Sequence, residues 1–380
     1  MWGRVIAFIS FLFVHPSWAV DNKIELAVQI AKSSQVSIRG SQIEIFQGKY
    51  PVLSLSGFEQ ISIRPEPGAS GLLKIELNKS NTSQIVSGPI GIRGALISVN
   101  GKLVPDHFKI YRDSTGYLEV VTNLELEEYI TGVLPSEMPA SWPMEALKAQ
   151  AVVARTYALY KKNQSSDSNS FDLVSTSLDQ VYKIGNFRKL EPKYQKKIQQ
   201  AVFATNGQIL VGEDKEPIGA FYHADCGGHT VAAQQVWQGR SQTEGVEDPY
   251  CPNSPYGKWK VHLTAAELKE SSKKLFHPPQ EIKTLKVTQL SNDGRVERLT
   301  LNDNLSLRGS EFRKIMGFSK VKSTFFTLKK LSDRWLIEGK GYGHGVGMCQ
   351  WGAKHLSMQK RDYKQILKHY FKKGKLTNLN

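Results

Sequence analysis

The chain has 380 residues and a formal net charge of +15, and its 40% apolar content is ample for one large core or two smaller ones. Three cysteines cannot all pair within one molecule, which excludes a scaffold held by disulfides alone. No apolar run beyond the first residues approaches membrane-spanning length, which excludes a bundle of membrane helices.

Arg4 precedes an apolar run over 5–14, followed by Ser17, Trp18 and Ala19 with small residues on either side of the tryptophan. This reads as a signal peptide over 1–19, cleaved after Ala19, with an uncleaved anchor as the alternative. The mature chain is then exported, to the periplasm or cell envelope, with no transmembrane segment left. A basic protein there meets membrane, wall polymers or glycans, and not nucleic acid. Charge kept for solubility is the competing explanation.

Residues 20–84 alternate in short strand patterns (KIELAV, QVSIRG, QIEIFQG, LLKIEL) with glycine, proline and serine between them, a β-rich region of unknown role. NKSNTS at 78–83 marks a boundary, and 85–376 forms the second domain. Its first strands include Asn100-Gly101, a hairpin signal, and Asp293-Gly294 is another. Strands and helices mix without a βαβ rhythm, so the expected class is α+β, strand-rich with a packed central helix.

That helix belongs to GVLPSEMPASWPMEALKAQAVVARTYALY at 132–160. Pro135, Pro139 and Pro143 predict a stiff loop over 132–143, and a helix follows, with Met144, Leu147, Ala151, Ala154 and Ala158 on one narrow face. Glu137 then stands on a rigid platform, suited to a catalytic carboxylate, although a solvated loop glutamate is the plainer reading. The nearby helix start would lower its pKa, whereas burial against Trp142 or Trp351 would raise it.

HADCGGH supplies His223, Cys226 and His229, followed by Cys251 and Cys349. These residues suit a structural zinc held by Cys226, Cys251, Cys349 and His229, with His223 as the alternative fourth ligand. A Cys226–Cys251 disulfide suits an exporting compartment equally, and unlinked buried thiols are a third reading.

GKGYGHGVGMCQWGA from Gly339 places glycine at every second position to 347. If extended, it has a bare glycine face for close approach of a ligand, with Tyr342 and His344 opposite. A turn needing glycine for geometry alone is the alternative. No nucleotide-binding unit precedes it, so it is not a phosphate loop.

The 132–160 stretch, with its S-E-M-P element, resembles a signature of the stage II sporulation protein D (SpoIID) family. GHGVGMCQWGA resembles that family's C-terminal signature, and DQVY at 179–182 and YHADCGGHT at 222–230 extend the likeness over about 85–375. The family cleaves peptidoglycan glycan strands as lytic transglycosylases, which makes Glu137 the catalytic acid/base. For such a substrate, Trp142 and Trp351 are candidates to stack on a sugar ring, and Gln180, Tyr182, Tyr342, His344 and Gln350 are further substrate-binding candidates, each with a structural role as the alternative. It implies no cofactor for the chemistry. Some members bind zinc, but many lack these cysteines, so the resemblance does not decide the metal. Proteins resembling the family also act as non-catalytic activators of cell-wall amidases, which makes an amidase a candidate partner. A zinc-dependent hydrolase built on the His/Cys cluster is the remote third reading.

Overall fold

The computed structural model describes residues 23–379 except 167, 168, 177, 238–242, 252 and 253. The expected signal peptide lies outside the described residues. Among the described residues, no helix is long and apolar enough to cross a membrane.

The chain begins with strands β1 (Glu25–Ser33), β2 (Val36–Gln47), β3 (Tyr50–Pro65), β4 (Leu72–Leu77) and β5 (Thr82–Ser87). It continues through β6 (Ile90–Val99), β7 (Lys102–Leu103), β8 (His107–Arg112) and β9 (Leu118–Glu125). With β10 (Leu173–Val174) these form one sheet in the order β10-β1-β9-β8-β6-β2-β3-β4-β5, with β7 on β6. Alternation builds its inner face. Val36, Ile38, Ile43 and Ile45 of β2 pack with Ile61 and Ile63 of β3 and Ile90 and Ile92 of β6 in one buried cluster. The sheet runs without a break across residues 84 and 85. The 78–83 stretch, expected as a boundary, holds the hairpin turn at 78–81 and the first two residues of β5. The turn at Asn100-Gly101 holds as expected, with φ of 48° and 77° at its two residues.

Helices α1 (Leu126–Glu137) and α2 (Met144–Gln164) follow β9, and after β10 come α3 (Ile184–Arg188) and α4 (Pro192–Phe203). Strand and helix mix as α+β. The expected face of α2 is there, with Leu147, Ala151, Ala154 and Ala158 in one core and Met144 packed against it, but the opposite side is buried as well. Ala146, Leu147 and every residue from Ala149 to Leu159 are buried, so the helix is enclosed on all sides. Arg155 is wholly buried there, and its Nε and Nη2 reach Glu127 of α1 at 2.7 and 2.6 Å.

The remaining chain returns to α2 after an excursion. Strands β11 (Gln208–Val211) and β12 (Tyr222–His223) and helix α5 (Ala233–Val236) lead into it. The excursion holds β13 (Trp259–Thr264), α6 (Ala265–Ser272), β14 (Leu285–Leu290), β15 (Val296–Leu301), β16 (Leu305–Arg308), α7 (Gly309–Met316), β17 (Phe326–Lys330) and β18 (Arg334–Gly339). It buries a core of its own around Leu299, Phe312, Trp335 and Ile337. Strand β19 (Met348–Cys349) then pairs in parallel with β12, and α8 (Gln350–Met358), α9 (Tyr363–Tyr370) and β20 (Lys375–Asn378) close the chain. Cys226, Cys349 and Ala353 pack with Ala149, Val152 and Val153 of α2 in a shared core.

Candidate active site

Glu137 is the last residue of α1, not part of a loop. Leu126, Tyr129, Ile130, Val133 and Leu134 bury one side of α1, and this packing carries the helix through Pro135. The proline removes one backbone donor in the final turn, and the Met138 amide still closes on the Leu134 carbonyl at 3.0 Å. The helix start expected after Glu137 is present as α2, but Glu137 also ends a helix of its own. At a helix C-terminus the dipole disfavours the carboxylate. Burial raises its pKa further, while the Val181 amide, Tyr222 and the charge of Lys183 oppose that rise.

The groups facing the carboxyl are few. The Val181 amide donates to Oε1 at 2.6 Å. The buried hydroxyl of Tyr222 faces the carboxyl without closing a hydrogen bond. Gln350 donates Nε2 to the Glu137 carbonyl at 3.2 Å and to Gln150 Oε1 at 3.3 Å. Gln350 thus holds the end of α1 in place through its backbone. Next to it, Trp351 meets Trp142 edge to face at 5.1 Å between rings. Lys354 sets its ammonium 4.1 Å from the Trp351 ring and 5.1 Å from that of Trp142. These three side chains are half-buried and form an aromatic and cationic cluster next to Gln350, which holds the Glu137 carbonyl.

Other substrate candidates have internal roles. Gln180 is wholly buried, accepts from the Tyr129 hydroxyl at 3.2 Å and donates to the Ala154 carbonyl at 3.3 Å. Tyr182 stacks on Tyr129 at 5.6 Å and fills the space over Gly132, where a Cβ would lie 2.3 Å from its ring. His344 packs among His223, Phe221 and Trp237, and burial holds it well below the usual histidine range. Tyr342 is half-buried against Tyr256, with ring centroids 5.0 Å apart.

The glycine stretch is not an extended strand. Gly341, Gly343, Gly345 and Gly347 all take positive φ, between 72° and 124°, so the period of two marks a coiled loop without a bare face. At Gly347 a Cβ would lie 2.1 Å from the Phe221 carbonyl, which lets β19 sit against β12. That pairing sets His223 beside Cys349 and Tyr222 beside Met348.

The three cysteines do converge, as free thiols. Their fourth neighbour is Asp248, not a histidine. His229 turns Nδ1 to the Thr230 carbonyl, and His223 turns Nδ1 to that of Val346. Sequence reasoning missed Asp248, Tyr222, Gln150 and Lys354. Asp248 stands three residues before Cys251, a spacing that could have flagged it, and Tyr222 opens a motif already singled out.

The chain matches a family model described as "Stage II sporulation protein" over 114–211, and a "Domain of unknown function (DUF8618)" over 244–347. It is 37% identical to an uncharacterized protein of Brachyspira hyodysenteriae over 259 residues, 66% of each chain. Against stage II sporulation protein D of Bacillus subtilis it is 32% identical over 283 residues, 71% of this chain and 78% of the relative. Against the amidase enhancer of the same organism it is 29% identical over 300 residues, 66% of this chain but 40% of the relative.

Proposed function

Because the chain belongs to the stage II sporulation protein D family, a cell-wall family, we propose that it is an exported lytic transglycosylase of peptidoglycan. The single observation that carries this reading is Glu137 itself. It is a carboxyl whose affinity for a proton is raised by burial, facing an amide, a phenol and a lysine charge, none of them a second carboxylate. Hydrolytic glycosidases generally use two carboxylates, one to protonate the leaving oxygen and one to activate water or attack. A transglycosylase needs only one, because the sugar's own C6 hydroxyl is the nucleophile.

In this mechanism the Val181 amide occupies Oε1, so the transferable proton sits on Oε2. Glu137 donates it to the glycosidic oxygen between N-acetylmuramic acid and N-acetylglucosamine as that bond breaks. The carboxylate then takes the C6 hydroxyl proton as the C6 oxygen bonds to C1, closing a 1,6-anhydro ring and restoring the acid. Trp142 and Trp351 offer faces for sugar rings, and Lys354 and Lys183 offer charge to the lactyl carboxylates of peptide-stripped strands. No cofactor enters these steps.

The test is incubation with purified strands, with and without stem peptides: release of soluble fragments supports cleavage, and intact strands overturn it. A salt series adds a second expectation. Affinity for peptide-free strands should fall markedly with ionic strength, since exposed charges are screened within about 8–10 Å at physiological salt. Salt-insensitive binding would leave the +15 charge to solubility. The amidase enhancer relative favours one other reading, a non-catalytic activator of a cell-wall amidase. It requires intact strands in the same assay and faster peptide release when an amidase is added.

A further inference from the structure

The geometry points to a structural zinc site made by Cys226, Asp248, Cys251 and Cys349. One ligand atom from each lies within 4.8 Å of the others, and all four residues are buried. Cys226 Sγ is 3.4 Å from Cys251 Sγ and 3.2 Å from Asp248 Oδ2. Ligands 2.0–2.3 Å from one tetrahedral ion stand about 3.5–3.8 Å apart, so only small shifts separate this cluster from a loaded site.

Backbone donors converge on two of the sulfurs. The amides of Cys226 and Gly352 point at Cys349 Sγ, at 3.3 and 3.4 Å, and the Gly228 amide points at Cys226 Sγ at 3.3 Å. Backbone donors aimed at sulfur stabilise its anion. Asp248 is oriented too, since the Tyr370 hydroxyl donates to its Oδ2 at 2.9 Å. Gly352 leaves the room for this contact, because a Cβ there would lie 2.0 Å from the Tyr370 oxygen and 2.4 Å from Oδ2. With their protons displaced by a metal, the three sulfurs and the Asp248 carboxylate would offer one ion four anionic ligands. Thiolate ligands in a tetrahedral set favour zinc.

Four protein ligands leave no open position, so the ion is a staple and not a catalyst. What it joins is specific. Cys226 follows β12, which carries Tyr222 to Glu137, and Cys349 precedes Gln350, which holds the Glu137 carbonyl. Asp248 and Cys251 anchor the start of the excursion to both. On binding, the three thiols release their protons, so affinity rises with pH until they are ionised.

The test is native mass spectrometry of the full chain, purified without metal-affinity resin. About one zinc per chain is expected, with all three thiols resisting alkylation until a chelator is added. Asp248→Asn and Cys349→Ser should each weaken zinc binding about 100-fold or more, beyond the usual cost of losing an outer partner, while His229→Ala keeps the metal. Should the variants not fold, cobalt exchanged into the wild-type chain reads the same ligands through its thiolate charge-transfer bands. Absence of bound metal, a peptide linked through Cys226 and Cys251, zinc retained by Asp248→Asn, or cobalt without thiolate bands would each overturn the site.

Discussion

Glu137→Gln should lower glycan cleavage by at least ~100-fold, the lower scale of acid/base catalysis, while glycan binding survives. The amide keeps the size of the side chain and can still accept from Val181. It cannot deliver a proton. The same substitution should leave stability at neutral pH unchanged or increased. A carboxyl whose folded pKa is raised binds its proton more tightly folded than unfolded, so ionising it costs stability as pH rises through that range. A neutral amide carries no such cost. The raised pKa also sets the sign of the activity profile: Glu137 stays protonated to higher pH than an ordinary glutamate, and cleavage declines on the alkaline side as it ionises. A Glu137→Gln chain that cleaves at near wild-type rate would remove Glu137 from the chemistry.

Arg155→Met is expected to destabilise the fold by about 3 kcal/mol. Arg155 is fully enclosed in α2 and ties three segments together. It binds Glu127 at the start of α1 through two nitrogens and the Gln208 carbonyl of β11 through Nη1 at 3.0 Å. Removing it strands the Glu127 carboxylate, which is only a quarter exposed, opposite an apolar chain. Because Glu127 opens the helix that Glu137 closes, activity should fall with stability. Urea unfolding reads the loss, and adding Glu127→Gln should recover part of it by removing the stranded charge. If Arg155→Met unfolds like the wild type, the pair contributes little.

What the sequence made legible was local chemistry. Asn100-Gly101 names its own turn, because the two positive φ values depend only on those residues. Glu137 was singled out by its motif, but its seat at a helix C-terminus was not legible. Pro135 argued for a loop, and the packing of Tyr129, Ile130, Val133 and Leu134 outweighed it. The alternating glycines pose the converse problem. A period of two in composition suits a strand, and only the close approaches of Phe221 and His223 reveal that the glycines answer positive φ. Gln180 and Tyr182 looked like groups awaiting a sugar, and tertiary burial gave them to Tyr129 and Ala154 instead. Asp248 was hidden for a similar reason. Its partners Cys226 and Cys349 lie 22 and 101 residues away; the pairing of β12 with β19 joins those two, and the bond of the Asp248 amide to the Gly228 carbonyl brings Asp248 to them.

The most direct measurement is the mass of the sugar ends left when the protein digests peptide-free glycan strands. Closure by the C6 hydroxyl yields 1,6-anhydro-muramic ends, one water lighter than hydrolytic ends, and these should vanish with Glu137→Gln. Reducing muramic ends would contradict the one-carboxylate account and require a second activating group. Strands recovered intact would contradict cleavage altogether.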